Sequence, residues 1–230
     1  MADLSRYLPL SRRPDVDESG VTADRRAETA EVLGGVAKLI RTGGDALWST
    51  STARAGWHVA DVVAELVHGF DRTRTRRALD AAERLVRGGE ARRLAELPKL
   101  AGPAEAVDAI DARTRGIRER TRPTSVAELD DAVVAALLVG GAASVDPPMS
   151  PVASGAVALR RAAAAPTEIR AVIAGHTLRA TDAGWEFGHG SPLVDTAAGL
   201  LRFLTGIGTV APHPPGPGDA PPPATGSRAG

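Results

Sequence analysis

Most of this chain consists of segments in which apolar residues recur every three or four positions. This spacing places the apolar side chains along one face of an α-helix, and in a folded protein that face has to be covered by a neighbour. The breaks between the segments are short, which favours helices that pack as antiparallel neighbours. The pattern predicts helices over residues 22–42, 55–70, 71–89, 104–119 and 125–141. We therefore expect a helical bundle over residues 21–145.

Some of these segments also carry residues that begin and end helices. Ser125 and Glu128 have the spacing of a capping box, in which two side chains bond free backbone N–H groups at a helix start. The glycine pairs at residues 43–44 and 140–141 predict helix ends. The pair at residues 34–35 lies inside the first helix and is expected to weaken it.

The pattern changes in residues 150–209. Residues 153–165 are rich in alanine and predict a further helix. Residues 169–187 alternate between apolar and polar side chains, with turn residues near Gly175 and at residues 182–184, which predicts a meander of two or three strands.

A last helix is predicted directly after these strands. Ser191 has the side chain of an N-cap, Pro192 suits the first helical position, and Gly206 suits a helix end. The predicted fold class is therefore mainly α: a four-helix bundle followed by a small α+β C-terminal domain.

The two ends of the chain have a different composition. Residues 1–20 are polar and interrupted by prolines, which predicts a flexible leader. Residues 210–230 are rich in proline and have little apolar surface to offset the entropy of ordering, which predicts a disordered tail.

Composition argues against several function classes. The 28 basic and 28 acidic residues balance, so no overall field attracts nucleic acid or an anionic membrane. The sequence has no signal-peptide pattern and no uncharged apolar run near 18 residues, so we expect a cytoplasmic protein that does not bind membranes. It contains no cysteine, so any metal must be bound by histidine, aspartate or glutamate.

One predicted helix carries a stripe of residues that can bind metals. His58, Asp61, Glu65 and His68 share one side of residues 55–70, opposite the apolar side. Their position predicts that the stripe faces water, with His58 at or near the helix cap. The alternative is a metal contact through Glu65 or His68.

Other candidate residues have simpler explanations. Trp57 and Trp185 are expected to anchor the core, since aromatic residues are scarce in this chain. His189 and Ser191 are expected to be a turn residue and a helix cap. The functional alternative places them at the mouth of a pocket, where backbone amides of the last helix would bind an anion.

Two stretches resemble a known family. "GWHVADVVAEL" at residues 56–66 and "LLRFLTG" at residues 200–206 are similar to the mycothiol-dependent maleylpyruvate isomerase family, which belongs to the DinB-like helical-bundle superfamily. The resemblance implies a divalent metal held by one histidine on the second helix and by an acidic residue and a histidine on the fourth. It also implies that this metal activates the thiol of mycothiol, because a bound metal lowers a thiol's pKa.

The chain departs from the family at these metal positions. Glu65 stands where the family has its histidine on the second helix. On the fourth helix, Glu128, Asp130 and Asp131 are followed four residues later by Ala132, Val134 and Ala135 rather than by histidine. The metal triad is therefore degraded.

Three functional hypotheses follow. The first is a non-catalytic relative that binds a small molecule or a protein partner in the cleft between the bundle and the C-terminal domain, with Trp57, His58, Asp61 and His189 as candidate cleft residues. The second is an active metal- and thiol-dependent isomerase or transferase that uses Glu65 and His68 as altered ligands. The third is an oligomeric interaction module that exposes the apolar run at residues 132–139.

Overall fold

The computed structural model describes residues 24–70, 89–208 and 210–216. Within these ranges the chain forms eight helices and three short strands. The helices are α1 Arg26–Trp48, α2 Val59–Gly69, α3 Gly89–Glu96, α4 Pro103–Arg118, α5 Val126–Ala142, α6 Pro151–Ala163, α7 Thr167–Ile173 and α8 Ala197–Thr205. The strands are β1 His176–Ala180, β2 Glu186–Gly188 and β3 Ser191–Asp195, all between α7 and α8. The predicted fold class, mainly α with a small α+β part, is confirmed.

Helices α1, α2, α4 and α5 pack together as the bundle. Their apolar faces form one core with residues of α6, the sheet and α8. The predicted leader at residues 1–20 and most of the predicted helix at residues 71–89 lie outside the described residues.

Helix α5 runs through the centre of the molecule. Ser125 caps it by accepting a hydrogen bond from the Glu128 backbone N–H at 3.3 Å, as its spacing predicts. Helices α1, α2 and α6 all pack against it, so residues 132–139 are buried apart from the half-buried Val134. The interaction-module hypothesis predicts an exposed apolar face on this helix, and that prediction is therefore wrong. An apolar run with no polar side is a signature of a buried helix as well as of an interface.

Helix α1 continues past its predicted end at residue 42. Gly44 has a φ of 55° and a ψ of −148°, which kinks the helix without stopping it. Glycine adopts this backbone conformation readily because it has no Cβ. One further turn then carries the chain to Trp48.

The C-terminal sheet differs from the predicted meander. Strand β1 lies in the centre, with β2 antiparallel on one side and β3 parallel on the other. Leu178 pairs with Phe187 of β2 and with Leu193 of β3. Residues 169–173 belong to the short helix α7 rather than to a strand. An apolar–polar alternation over so few residues does not separate a short helix from a strand.

The last helix begins later than predicted. Ser191 and Pro192 belong to β3, where the chain pairs with β1 and buries Leu193 and Val194. Thr196 is the true N-cap, because its side chain accepts a hydrogen bond from the Gly199 N–H at 3.0 Å.

The predicted tail at residues 210–230 starts with a segment placed against the sheet. His213 and Val194 exchange backbone hydrogen bonds of 2.7 and 3.2 Å along the edge of β3. In the described parts of the chain, no helix combines the length and the apolar character that crossing a membrane requires.

Candidate functional site

The polar stripe of α2 begins at the helix cap. His58 is the N-cap residue, as predicted, and its backbone N–H donates to Asp61 Oδ2 at 3.0 Å. The His58 side chain itself is half exposed. This hydrogen bond satisfies a backbone donor that the helix leaves free at its first turn.

Asp61 lies beneath the surface, where it binds a lysine from a distant part of the chain. It is 5% exposed, and Lys99 Nζ lies 2.5 Å from Asp61 Oδ1. Burial alone would raise the pKa of this carboxyl group. The hydrogen bonds from Lys99 and from the His58 N–H, with the charges of both side chains, outweigh burial and hold the pKa below its usual value of 3.8.

Glu65, one turn further along α2, lies between two guanidinium groups. Arg54 Nη1 is 2.6 Å from Glu65 Oε2, and Arg93 Nε is 2.6 Å from Glu65 Oε1. The carboxylate is 15% exposed. Arg54 donates a charge-assisted hydrogen bond to this mostly buried carboxylate, and Arg93 adds an ion pair. Charge-assisted hydrogen bonds are stronger than neutral ones.

His68 ends the stripe and remains exposed. Its Nε2 lies 3.2 Å from the carbonyl oxygen of Pro98. Thus Asp61, Glu65 and His68 all contact residues 93–99, the end of α3 and the chain that follows it. The prediction that the stripe faces water is wrong for Asp61 and Glu65, because side chains distant in sequence cover and neutralise them.

Arg54 is the centre of this ionic network. Its guanidinium carbon lies 3.7 Å from the centre of the Trp57 ring, and its Nη2 lies 2.6 Å from both carboxylate oxygens of Glu90. Trp57 is 1% exposed, so the prediction that it anchors the core is confirmed. A guanidinium group stacked on an aromatic ring and bonded at its edge is held in one orientation.

A cavity of about 300 Å³ lies beside this network, between α2, α5 and the end of α8. One part of its wall is apolar and another part is charged. The apolar residues are Ala53, Val62, Leu66, Val134, Ala135, Leu138 and Ile207. The charged residues are Arg54, Glu65, Glu90, Asp131 and Arg161. Thr205 and Gly206 also line the cavity.

Arg161 brings hydrogen-bond donors to this cavity. Its Nε donates to Asp130 Oδ1 at 2.6 Å, and Arg160 Nε donates to Asp130 Oδ2 at 3.2 Å. The terminal nitrogens of Arg161 form no hydrogen bond with any residue that the structure describes. Since two arginines share the one carboxylate of Asp130, this group of three side chains carries one excess positive charge.

The cavity lies in the cleft between bundle and C-terminal unit, but all four predicted cleft residues are elsewhere. Trp57, His58, Asp61 and His189 do not line it, whereas Glu65 does. His189 is exposed in the turn between β2 and β3.

The prediction that Ser191 caps the last helix is wrong. The alternative, an anion bound by the first backbone amides of that helix, does not fit the structure either. The first amides of α8 already have side-chain partners: the Ala197 N–H donates to Asp182 Oδ1 at 2.7 Å and the Gly199 N–H to Thr196 Oγ1. Trp185 packs against the core, as predicted. Its ring stacks on Phe187, and its Nε1 donates to Ser154 Oγ at 3.0 Å.

The residues around Glu65 do not fit the metal that the family resemblance implies. A divalent ion would compete for this carboxylate with two guanidinium groups and would be repelled by both. In residues 24–70, 89–208 and 210–216, no three histidine, aspartate or glutamate side chains come together as a metal site. Sequence reasoning missed the arginines that take this place, since nothing in their local pattern distinguishes Arg54 or Arg93 from a solvated arginine.

The comparisons with known proteins give one structural likeness. The chain is similar to the crystal structure of a histidine-to-alanine variant of a mycothiol-dependent maleylpyruvate isomerase, with a TM-score of 0.43 and 11% sequence identity. The alignment covers 85% of this chain and 98% of that chain. No protein-family model and no curated protein sequence matches this chain.

Proposed function

We propose that this protein is a metal-independent, non-catalytic binding protein for a small molecule that combines an apolar body with a carboxylate. The site is the cavity between α2, α5 and the end of α8. The observation that carries the proposal is the position of Arg161, whose terminal nitrogens are without hydrogen-bond partners among the described residues, at the wall of a cavity that is apolar in one part and charged in another.

The volume and lining of the cavity support a small ligand. About 300 Å³ is at the lower end of the range for small-molecule pockets. Val62, Leu66 and Leu138 provide a wall for an apolar body. Burial of that body contributes the non-directional part of the binding energy.

Arg161 is the feature of the wall that favours an anionic group on the ligand. Arg161 can donate two parallel hydrogen bonds to a carboxylate, which is the geometry that guanidinium groups bind best. Three carboxylates also line the cavity. Glu65 and Glu90 already have arginine partners and Asp131 has an interaction of its own, so all three are poorly placed to receive a cationic ligand. This site lies in the cleft of the first hypothesis but is lined by other residues than the four named for it.

The test compares two neighbouring arginines. Benzoate, cinnamate and 4-methylpentanoate, with their amides as controls, are titrated into the wild-type chain, and binding is followed by calorimetry and ligand-observed NMR. We expect at least one acid to bind and its amide to bind at least about tenfold more weakly, since charge-assisted hydrogen bonds contribute about 1.5–3 kcal/mol.

Arg161→Gln should weaken binding of that acid by a similar factor. Arg160→Gln is the matched control, because Arg160 binds the same Asp130 but does not line the cavity. Val134→Phe, which fills the cavity, should abolish binding. Equal affinities in the two arginine variants, or no binding of any acid to the wild-type chain, would contradict the proposal.

A further inference from the structure

We propose that α3 is a lid over this cavity, closed by two ion pairs to the bundle and hinged at residues 97–99. The opening of the lid is a property of α3 itself. Only its role in admitting a ligand rests on the proposed function.

The lid position follows from the cavity wall. Glu90, in the first turn of α3, lines the cavity, so outward movement of this turn would widen its mouth. Most of the described side chains of α3 are exposed or half-buried, and Leu94 provides an apolar contact with the core. A helix of eight residues is not stable alone in water, so α3 depends on the contacts that hold it to the body.

Two ion pairs provide part of that attachment. Glu90 accepts two hydrogen bonds of 2.6 Å from Arg54, and Arg93 lies 2.6 Å from Glu65. The two pairs differ in exposure: the Glu90 side chain is 47% exposed, whereas that of Arg93 is 11% exposed. An exposed pair contributes little free energy and is screened by salt, so the Glu90 end should release first.

The hinge is the chain that directly follows α3. Leu97 is buried in the core, the Pro98 carbonyl lies 3.2 Å from His68 Nε2, and Lys99 binds Asp61. Three consecutive residues are therefore attached to α2 or the core. Rotation about this point would move Glu90, seven positions before the anchored Leu97, further than Arg93.

Amide hydrogen exchange of α3 tests the lid without any ligand. Arg54→Gln removes both Arg54 ion pairs and leaves the sequence of α3, and hence its helix propensity, unchanged. We expect amides of residues 90–96 to exchange at least threefold faster in this variant, by a larger factor than amides of α4 and α5, which report only the change in global stability. In the wild-type chain, about 0.5 M sodium chloride should produce the same local change through screening.

Arg41→Gln is the matched control. It also removes an arginine from an ion pair, but this pair with Asp111 is exposed and includes no residue of α3. This control should leave exchange in α3 unchanged. Unchanged exchange of α3 in Arg54→Gln would overturn the lid, as would equal acceleration in α4 and α5, which reports global loss of stability rather than local opening.

A second measurement connects the lid to binding. Glu90→Gln should raise both the association and the dissociation rate of the carboxylic acid that binds best by at least threefold and change its Kd less. Glu96→Gln, on the same helix but away from the cavity lining, should change neither rate. If no acid binds, the proposed function fails while the exchange measurement still decides whether α3 opens. If an acid binds with equal rates in all three proteins, α3 is not its gate.

Discussion

Arg54 Nη1 lies 2.6 Å from Glu65 Oε2. Glu65, which the sequence resemblance aligns with a metal-binding histidine, is thus held by a positive side chain of the same protein. Arg93 binds the other carboxylate oxygen of Glu65, so both oxygens have cationic partners.

The first prediction concerns the stability of this cluster. Glu65→Gln leaves two arginines without their shared carboxylate in a mostly buried position. We expect the free energy of unfolding to fall by about 2–4 kcal/mol, close to the cost of breaking a buried ion pair. Urea denaturation measures this value. The control is Glu90→Gln, which removes an exposed partner of Arg54 and should cost about 1 kcal/mol or less. If the two variants lose the same free energy of unfolding, the ion pairs of Glu65 stabilise the protein no more than the exposed pair of Glu90.

The second prediction concerns metal content. Elemental analysis of the wild-type chain, purified without a histidine tag, should find no zinc, manganese or magnesium at a stoichiometric level, because the two guanidinium groups repel a cation at Glu65. A stoichiometric ion that is lost in Glu65→Ala would contradict this prediction and would restore the enzyme hypothesis with Glu65 as an altered ligand.

The third prediction is a dependence of stability on pH. The pKa of Asp61 is lowered in the folded protein, so its ionised form stabilises the fold above the unfolded-state pKa near 3.8. This contribution is lost as the pH falls through the lower folded-state pKa.

Asp61→Asn tests the sign of this effect. The variant should be less stable than the wild-type chain by about 1–2 kcal/mol near pH 7. The loss is modest because the Lys99 side chain is largely exposed to solvent. The difference should shrink below about pH 3.8. The matched control is Asp108→Asn, an exposed helical position, which should cost little at either pH. A difference that grows on acidification would contradict the direction of the pKa shift.

The fourth prediction concerns a buried ion pair between α4 and α5. Arg113 Nε and Nη2 lie 2.6 and 2.7 Å from the two oxygens of Glu128, and both side chains are less than one-tenth exposed. Glu128→Gln should lower stability by about 3 kcal/mol, because it removes the carboxylate that two nitrogens of this buried guanidinium group bind.

The double variant Arg113→Met with Glu128→Leu should recover most of that loss, since it removes both charges together. Asp111→Asn, in the exposed pair with Arg41, should cost less than about 0.5 kcal/mol in the same denaturation experiment. If Glu128→Gln costs no more than Asp111→Asn, the buried pair contributes no more than the exposed one.

The fifth prediction compares two helical glycines. A Cβ built on Gly35 in α1 meets no atom within 4 Å, so Gly35→Ala should raise stability by up to about 1 kcal/mol through helix propensity. A Cβ on Gly140 in α5 would lie 2.7 Å from the Val145 carbonyl oxygen and 2.9 Å from Pro147 Cδ. Gly140→Ala should therefore lower the melting temperature while Gly35→Ala raises it. Changes of the same sign would contradict the difference in packing.

Much of the bundle could be predicted because helix signals are local. The apolar period, the Ser125 cap and the helix end at Gly206 each depend on residues within a few positions of one another. Short elements could not be predicted in the same way. Residues 191–195 contain a good helix start, yet pairing with β1 and burial of Leu193 and Val194 make them a strand.

The candidate site was predicted less well than the fold. The pattern of α2 identified Glu65 as a residue of interest and placed His58 at the cap, but it indicated a stripe facing water or a metal. The actual partners of the stripe are Arg54, Arg93 and Lys99, which lie 11, 28 and 38 positions from the residues that they bind. The cavity itself joins α2, α5 and α8, and no local pattern describes a space between elements.

The sequence by itself determined that α1, α2, α4 and α5 are helical and which of their faces are apolar, because both follow from contacts within one or two turns. It did not predict α3, and its predicted helix at residues 71–89 lies almost wholly outside the described residues. Only the tertiary structure decided what the polar face of α2 does. The state of a buried carboxylate depends on the charges brought within about 3 Å of it, and in this chain those charges arrive from a loop and a helix that the fold places beside α2.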